Sequence, residues 1–244
     1  MLFRSGSFLN YSPRGAIVTN LEEDHMDHYG TVQNLYKAFS QFMEQVGDPE
    51  LLICCGDDPM LCRLAPKASF YGRKAHCQVR AENVRQDGWS MHFDIVDQNQ
   101  SYRNVQLNML GEHNVDNALG VWTLLSKLDA PLDKLREAFA CFPGVKRRCE
   151  KKWDEQGILF LDDYAHHPTE IQATLRAVKQ AEPERRLVAV CQPHRFSRVK
   201  DCWSLFPKCF STADALVITD IFSAGEELCE ELLGDCLEIG RAHV

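Results

Sequence analysis

Three short stretches of the chain carry Asp, His and Arg at a density that suits chemistry. They are Asp162-Asp163-Tyr164-Ala165-His166-His167-Pro168, Gln192-Pro193-His194-Arg195-Phe196-Ser197-Arg198, and Asp220-Ile221-Phe222-Ser223-Ala224-Gly225-Glu226-Glu227. Each directly follows an apolar run of strand type. In an open parallel sheet, ligands bind beyond the carboxyl ends of the strands. Arginine offers a planar, permanently charged fork that matches a carboxylate or a phosphate, so Arg195 and Arg198 are candidate anion holders. One polar strand end is as easily a solvated turn. Three of them side by side favour a site.

Two further clusters lie in the first half. Glu22-Glu23-Asp24-His25-Met26-Asp27-His28 sets imidazoles beside carboxylates. That mixture suits a divalent cation, and it suits a solvated acidic loop equally well. Zinc is disfavoured, because no His/Cys spacing completes a tetrahedral site. Gly111-Glu112-His113-Asn114-Val115-Asp116-Asn117 opens a helical pattern. Asn114 and Asn117 stand three apart, so both amides fall on one side of the first turn. An amide donates and accepts together, which fits a purine edge. Helix capping is the simpler alternative.

The elements that must position these groups follow from periodicity. Residues 16–21 read as a strand entering the acidic loop. Residues 31–46 read as a helix, with Val32, Leu35, Ala38, Phe39, Phe42 and Val46 near 3.6 spacing. Residues 51–55 form a compact strand that ends in the turn Gly56-Asp57-Asp58-Pro59. The stretch 68–109 alternates in short runs and reads as antiparallel strands. Residues 112–128 and 132–141 read as helices, the first with Val115, Ala118, Leu119, Trp122 and Leu125 on one stripe. Phe142-Pro143-Gly144 breaks the chain and marks a domain boundary. Beyond it the order is strand 158–161, helix from Pro168, strand 187–191, helix 197–210 and strand 215–219. Pro168 suits the first helical turn, where its missing N–H costs nothing. The unbroken run Leu187-Val188-Ala189-Val190-Cys191 matches a parallel strand buried on both faces. The fold class is therefore α/β, with a doubly wound second half.

Composition narrows the field. The chain has 244 residues, 45% of them apolar and 25% charged, so it can bury a core and is not disordered. Its 27 Lys and Arg against 35 Asp and Glu leave a net charge of −8, which argues against nucleic acid as a partner. No run of about 20 apolar residues is present to insert into a membrane. Eleven cysteines occur without a C-x-x-C pair. They read as reduced core thiols of a cytoplasmic protein. Residues 1–5 and about 238–244 resemble translated sequencing-adapter sequence and are expected to be foreign to the fold.

Taken together, GSFLNYSPRGAIVTNLEEDHMDHYG, LGEHNVDNALG, FPGVKRRCE, LDDYAHHPTE, CQPHRFSR and DIFSAGEE resemble the Mur ligases of peptidoglycan synthesis, in the family's order and over residues 6–227. DHMD and HNxxNA are shared across that family. DDYAHHPTE followed by QPHRFSR is more specific, and resembles the members that join L-alanine to UDP-N-acetylmuramate. The resemblance implies an incomplete central ATPase domain over 6–143 and a partial Rossmann-like C-terminal domain over 144–237. It implies ATP and Mg2+ as cofactors and an acyl phosphate intermediate. By the same resemblance His25 matches a magnesium ligand, and Asn114 and Asn117 match adenine-contacting amides. Arg148 matches an arginine near the ATP phosphates, and Asp163 the acid on the ribose. His166 matches a histidine on the phosphate side. His194, Arg195 and Arg198 match the region that receives alanine and the muramoyl group.

The departures are equally informative. No G-x-x-x-x-G-K-[ST] segment occurs, so the phosphate loop and its lysine are missing from these 244 residues. The family carries a metal-binding Glu just before the position of Gly6, where Arg4-Ser5 stand. Ser40 falls about where some relatives carry a carbamylated lysine. These departures point to a fragment that is inactive alone. Two other readings compete. One is a metal-dependent phosphohydrolase using Asp24, His25, Asp27, His28 and His166. The other is a non-catalytic nucleotide-binding module.

Overall fold

The structure, a computed structural model, describes residues 6–22, 26–98 and 100–226. The chain forms two compact units that divide between Phe142 and Pro143, except that Gln86–Trp89 group with the second. His25, Asp24 and the two adapter-like ends lie outside the described residues.

The first unit runs β1 (Ala16–Val18), α1 (Met26–Tyr29), α2 (Val32–Glu44), β2 (Leu52–Cys55), α3 (Pro59–Leu64), β3 (Ser69–Gly72), β4 (Val79–Asp87), β5 (Ser90–Asp97), β6 (Gln100–Leu107), α4 (Glu112–Lys127) and α5 (Leu132–Ala140). Six strands form one sheet in the order β1-β2-β3-β4-β5-β6. The β1–β2, β2–β3 and β3–β4 pairs are parallel, and β5–β6 is antiparallel. The expectation that 68–109 is antiparallel throughout is therefore corrected. All four residues of β3 are buried. A strand covered on both faces shows no alternation by which its direction can be read.

The helices match their patterns. Thr31 caps α2, its hydroxyl accepting from Asn34 N at 3.2 Å. Phe39 and Phe42 of that helix pack on Phe8, with ring centroids 5.4 and 5.3 Å away. In α4 four of the five stripe residues are buried: Val115, Ala118, Leu119 and Trp122 face a core that includes Ile53, Tyr71, Phe93 and Ile95, while Leu125 is half-buried. Gly120 sits on the same face, where a Cβ would meet Ile17 Cγ2 at 2.9 Å. Its bare Cα is what lets α4 lie this close to the sheet.

The second unit runs β7 (Glu150–Glu155), β8 (Ile158–Asp162), α6 (Pro168–Ala181), β9 (Val188–Cys191), α7 (Phe196–Asp201), α8 (Phe206–Cys209) and β10 (Ala215–Ile218). β9 and β10 pair in parallel, as the doubly wound pattern requires. β8 instead pairs antiparallel with β7, a strand the sequence reading missed. The two are joined by Gln156-Gly157, with φ of 54° and 78°. Positive φ at both central residues is the signature of a two-residue hairpin turn whose twist matches its strands.

Two other expectations are corrected here. The helix expected over 197–210 is broken into α7, a 3-10 turn at Trp203–Leu205, and α8. Pro207 explains the break, since it has no N–H to give and its ring clashes with the carbonyl four residues back. The run 187–191 is not covered on both faces among the described residues: Val190 is 68% exposed. Ala189 points the other way, into a core with Ile171, Leu175, Val199 and Phe206. The nine described cysteines are all free. Burial, the largest cause, pushes the Cys54, Cys149 and Cys209 thiols up to about 12, which makes them poor nucleophiles. Among the described residues, no helix is long and apolar enough to cross a membrane.

Candidate functional site

In the first unit the site elements gather at the carboxyl end of the parallel strands. β2 ends in Gly56-Asp57-Asp58. The Asp58 carboxylate caps α3 by accepting from Met60 N and Leu61 N at 2.7 and 3.1 Å, and it accepts from Leu21 N, after β1, at 2.9 Å. Asp57 does the same for the end of β3, accepting from Arg73 N at 2.7 Å and Lys74 N at 3.1 Å. α4 begins beside this edge. Asn114 Nδ2 donates to Leu110 O at 2.7 Å, and Asn117 Nδ2 lies 3.5 Å from Asn114 Oδ1. The two amides thus stand together, as their spacing predicted. Neither caps the helix: the N-cap is Gly111, with φ 88° and no side chain to offer. Because Asn117 donates to Asn114, its own Oδ1 is the acceptor left to face a ligand.

The second unit gathers the other candidates. The Asp163 carboxylate accepts from Cys149 N at 2.8 Å and from Ala165 N at 2.7 Å. It thereby ties the Lys146-Arg147-Arg148 turn to the loop after β8. Each carboxylate oxygen keeps a second lone pair. The turn is strained, with φ of 58° at Arg147 and 48° at Cys149. Positive φ at residues other than glycine is a cost that tends to persist at functional loops. Arg148 Nη1 lies 3.8 Å from Glu170 Oε1, and both side chains are partly exposed.

Glu170 is the junction of this half. His167 caps α6 and Glu170 closes the reciprocal bond of a capping box. Its Oε2 accepts from His166 N at 3.2 Å and lies 3.6 Å from His166 Nδ1. His166 Nδ1 is also 2.9 Å from Tyr164 O. A carbonyl only accepts, so Nδ1 carries a proton there.

The loop after β9 completes the cluster. The His166 and His194 ring centroids are 6.4 Å apart, so the two motif loops meet although β8 and β9 do not pair. Arg198 Nη1 lies 3.5 Å from His194 Nδ1 and 3.4 Å from His194 O. Burial is the main cause that lowers the His194 pKa, and the charges of Arg198, His166 and Arg195 add to it. His194 is accordingly a neutral imidazole at neutral pH. Arg195 is only 6% exposed and has φ 73°. Its Nη1 is 3.5 Å from Glu226 Oε1, and its backbone N–H donates to Phe222 O at 2.8 Å. Glu226 also accepts from Ser197 N at 3.0 Å and Ser197 Oγ at 2.7 Å. Burial alone would raise the Glu226 carboxyl; the Ser197 bonds and the Arg195 charge outweigh it and hold the pKa below its ordinary value.

All eight described candidates are thus located, Asn114 and Asn117 in the first unit and Arg148, Asp163, His166, His194, Arg195 and Arg198 in the second. His25 falls outside the described residues. Among those residues no group of three His, Cys, Asp or Glu side chains is arranged to hold a metal ion. Sequence reasoning placed Glu226 in a polar strand end without giving it a role, and missed Glu170 and Arg73. Glu170 had a signal, its place three residues after the cap of a Pro-started helix. Arg73 had none, because its partners are distant in sequence, and for the same reason the pairing of Glu226 with Ser197 and Arg195 could not be read.

Residues 4–125 match the Mur ligase middle domain, and residues 147–243 match the Mur ligase, glutamate ligase domain. The chain is 43% identical over 221 residues to the UDP-N-acetylmuramate–L-alanine ligase of Protochlamydia amoebophila (strain UWE25), covering 90% of this chain and 49% of that protein. It is 39% identical over 242 residues to the enzyme of the same name from Magnetococcus marinus, covering 94% of this chain and 51% of that protein. The crystal structure of the UDP-N-acetylmuramate-alanine ligase MurC from Thermotoga maritima superposes with a TM-score of 0.80 at 26% identity, covering 99% of this chain and 52% of that one. The chain spans about half the length of the curated relatives it matches.

Proposed function

The chain belongs to the Mur ligase family, and from that premise we propose that the protein carrying it joins L-alanine to UDP-N-acetylmuramate in a cytoplasmic step of peptidoglycan synthesis. What supports this choice within the family is the meeting of the Asp162–Thr169 loop with the His194–Arg198 loop, seen in the 6.4 Å approach of His166 to His194. The named relatives support the same activity. ATP is the cosubstrate in this reading. The lactyl carboxylate attacks the γ-phosphorus, a carboxylate O–P bond forms, and the bond to ADP breaks. The alanine nitrogen then attacks the acyl carbon, gives up a proton, and the C–O bond to phosphate breaks.

The chain's own residues have these proposed parts. Asn114 and Asn117 read the adenine edge through paired amides. Asp163 accepts from the ribose with its remaining lone pairs. Arg148 and His166 serve the phosphate side, where positioning and neutralisation of charge supply most of the rate. Arg198 pairs with the alanine carboxylate, and Arg195 shapes the loop that presents it. His194, held against Arg198, belongs to the same alanine-receiving region. Mg2+ belongs to this proposal with His25 as ligand; since no cation cage lies among the described residues, no step is assigned to it.

The test is alanine-dependent phosphate release by the intact gene product. His166→Ala and Arg198→Ala each lower it at least about tenfold, which is about 1.4 kcal/mol of barrier. Full activity in both variants refutes the assignment. The 244-residue chain alone, having no G-x-x-x-x-G-K-[ST] segment, shows no alanine-dependent release in the same assay, and measurable release from it counts against this reading.

A further inference from the structure

The first turn of α4 carries both proposed purine-reading amides, yet its N-cap, Gly111, supplies no side-chain bond. An uncapped first turn frays unless something else holds it. Arg73, just beyond β3, reaches that turn with its whole fork. Nη1 is 2.6 Å from Glu112 Oε2, Nε is 3.2 Å from Asp116 Oδ1, and Nη2 donates to Glu112 O at 3.3 Å. These partners flank Asn114 and precede Asn117 in the same turn.

Arg73 is itself held. Asp57 accepts from the backbone N–H groups of Arg73 and Lys74, and Lys74 Nζ donates to Asp57 O at 3.0 Å. Gly72 passes so close that a Cβ there would lie 2.6 Å from Asp57 Oδ2. The linkage therefore runs from the end of β2 through Asp57, to the segment after β3, to the start of α4. A planar arginine fork with several partners fixes direction as well as distance, which a single capping bond does not.

We propose that Arg73 is a positioning residue for purine nucleotide recognition: it clamps the first turn of α4 so that Asn114 and Asn117 meet the base at hydrogen-bonding geometry. This rests on the reading of those two amides given above. Amide bonds to a base edge are short and directional, so a displaced turn weakens binding of the nucleotide and discrimination between purines without touching the transferred phosphoryl group.

The experiment uses the intact gene product and reads KM for each substrate against kcat. Arg73→Met keeps the stem and removes the fork. It raises KM for ATP about tenfold, leaves kcat and the other two KM values within about twofold, and lowers the preference for ATP over GTP. Arg73→Lys, which can reach one carboxylate only, recovers part of that loss. Glu112→Gln, at an exposed side chain, gives a smaller shift in the same direction and carries the test if Arg73→Met does not fold. Asn117→Ala is the control for the underlying reading. If Asn117→Ala raises KM for ATP and neither Arg73→Met nor Glu112→Gln does, the clamp is refuted and the purine reading stands. If Asn117→Ala itself leaves KM for ATP unchanged, the purine reading falls and the clamp with it. A parallel loss in all three KM values with a lowered Tm marks a general folding role and also refutes the proposal.

Discussion

Removing the Glu226 side chain tests the way the loop after β10 holds the start of α7. Glu226→Ala deletes two hydrogen bonds from Ser197, at 3.0 and 2.7 Å, and the 3.5 Å pairing with Arg195. Bonds to a charged acceptor contribute about 1.5–3 kcal/mol each, and the 23% exposure of Glu226 puts these two at the low end, about 3 kcal/mol together. Stripping a buried charge of its partner costs about 3–5 kcal/mol at full burial. Arg195 is buried, but its separation is long and it keeps other contacts, so about 1 kcal/mol is the fair share. The expected loss is therefore about 4 kcal/mol, a large part of the 5–15 kcal/mol typical of a domain. Glu226→Gln keeps an acceptor and loses the charge, so it should cost about half as much. The assay is urea unfolding of the purified chain, with Arg195→Met and the double variant completing a cycle whose coupling is about 1–2 kcal/mol. The pH dependence supplies a second check. The folded-state pKa of Glu226 is lowered, so its contribution is present above its ordinary value of 4.5 and fades as pH falls through the folded value. A loss below about 1 kcal/mol for Glu226→Ala, or no coupling to Arg195, refutes the reasoning.

Two other expectations can be checked on the same chain. His194 should titrate below 6.5 in a histidine NMR titration, and Arg198→Ala should move it back up by removing a neighbouring positive charge; a value at or above 6.5 in the unmodified chain contradicts the burial argument. Because the folded state disfavours its charged form, the linked stability is present above 6.5 and is lost as pH falls through the folded value. Gly120→Ala drives a methyl to 2.9 Å from Ile17 Cγ2 and 3.1 Å from the Tyr71 ring. Overpacking of about 1–3 kcal/mol, less about 1 kcal/mol of helix propensity, leaves a net loss of about 1 kcal/mol, read as a lower urea midpoint.

The helices were the most legible part of the fold. The stripes of α2 and α4 follow from the 3.6 period: Leu35 and Ala38 in α2, and Val115, Ala118, Leu119 and Trp122 in α4, are buried as the pattern selects, whereas Met43 and Thr123 are buried outside it. The motif loops were legible too, because Asp, His and Arg gathered at strand ends stand out against apolar runs. What escaped detection had a physical cause in each case. β7 reads as a charged, solvated stretch, Glu150-Lys151-Lys152-Trp153-Asp154-Glu155, and five of those six residues are indeed exposed. Only its ladder with β8 makes it a strand. The helix expected over 197–210 is interrupted ahead of Pro207, which sits in the first turn of α8 and cannot complete the ladder of the turn before it.

From sequence alone came the α/β class, the domain family by resemblance, and the candidate groups for chemistry, since residue type and local period are written in adjacent positions. Tertiary structure alone decided which of those groups stand together and in what state. His166 and His194 are 28 positions apart in sequence, Ser197 and Glu226 are 29, and Arg73 and Glu112 are 39. No local pattern encodes such pairs, because each depends on segments distant in sequence being brought together by a buried core. The burial that follows is also a property of the assembled units: it makes His194 neutral, seals Arg195 against Glu226, and turns a surface-looking arginine at position 73 into the clamp of a helix.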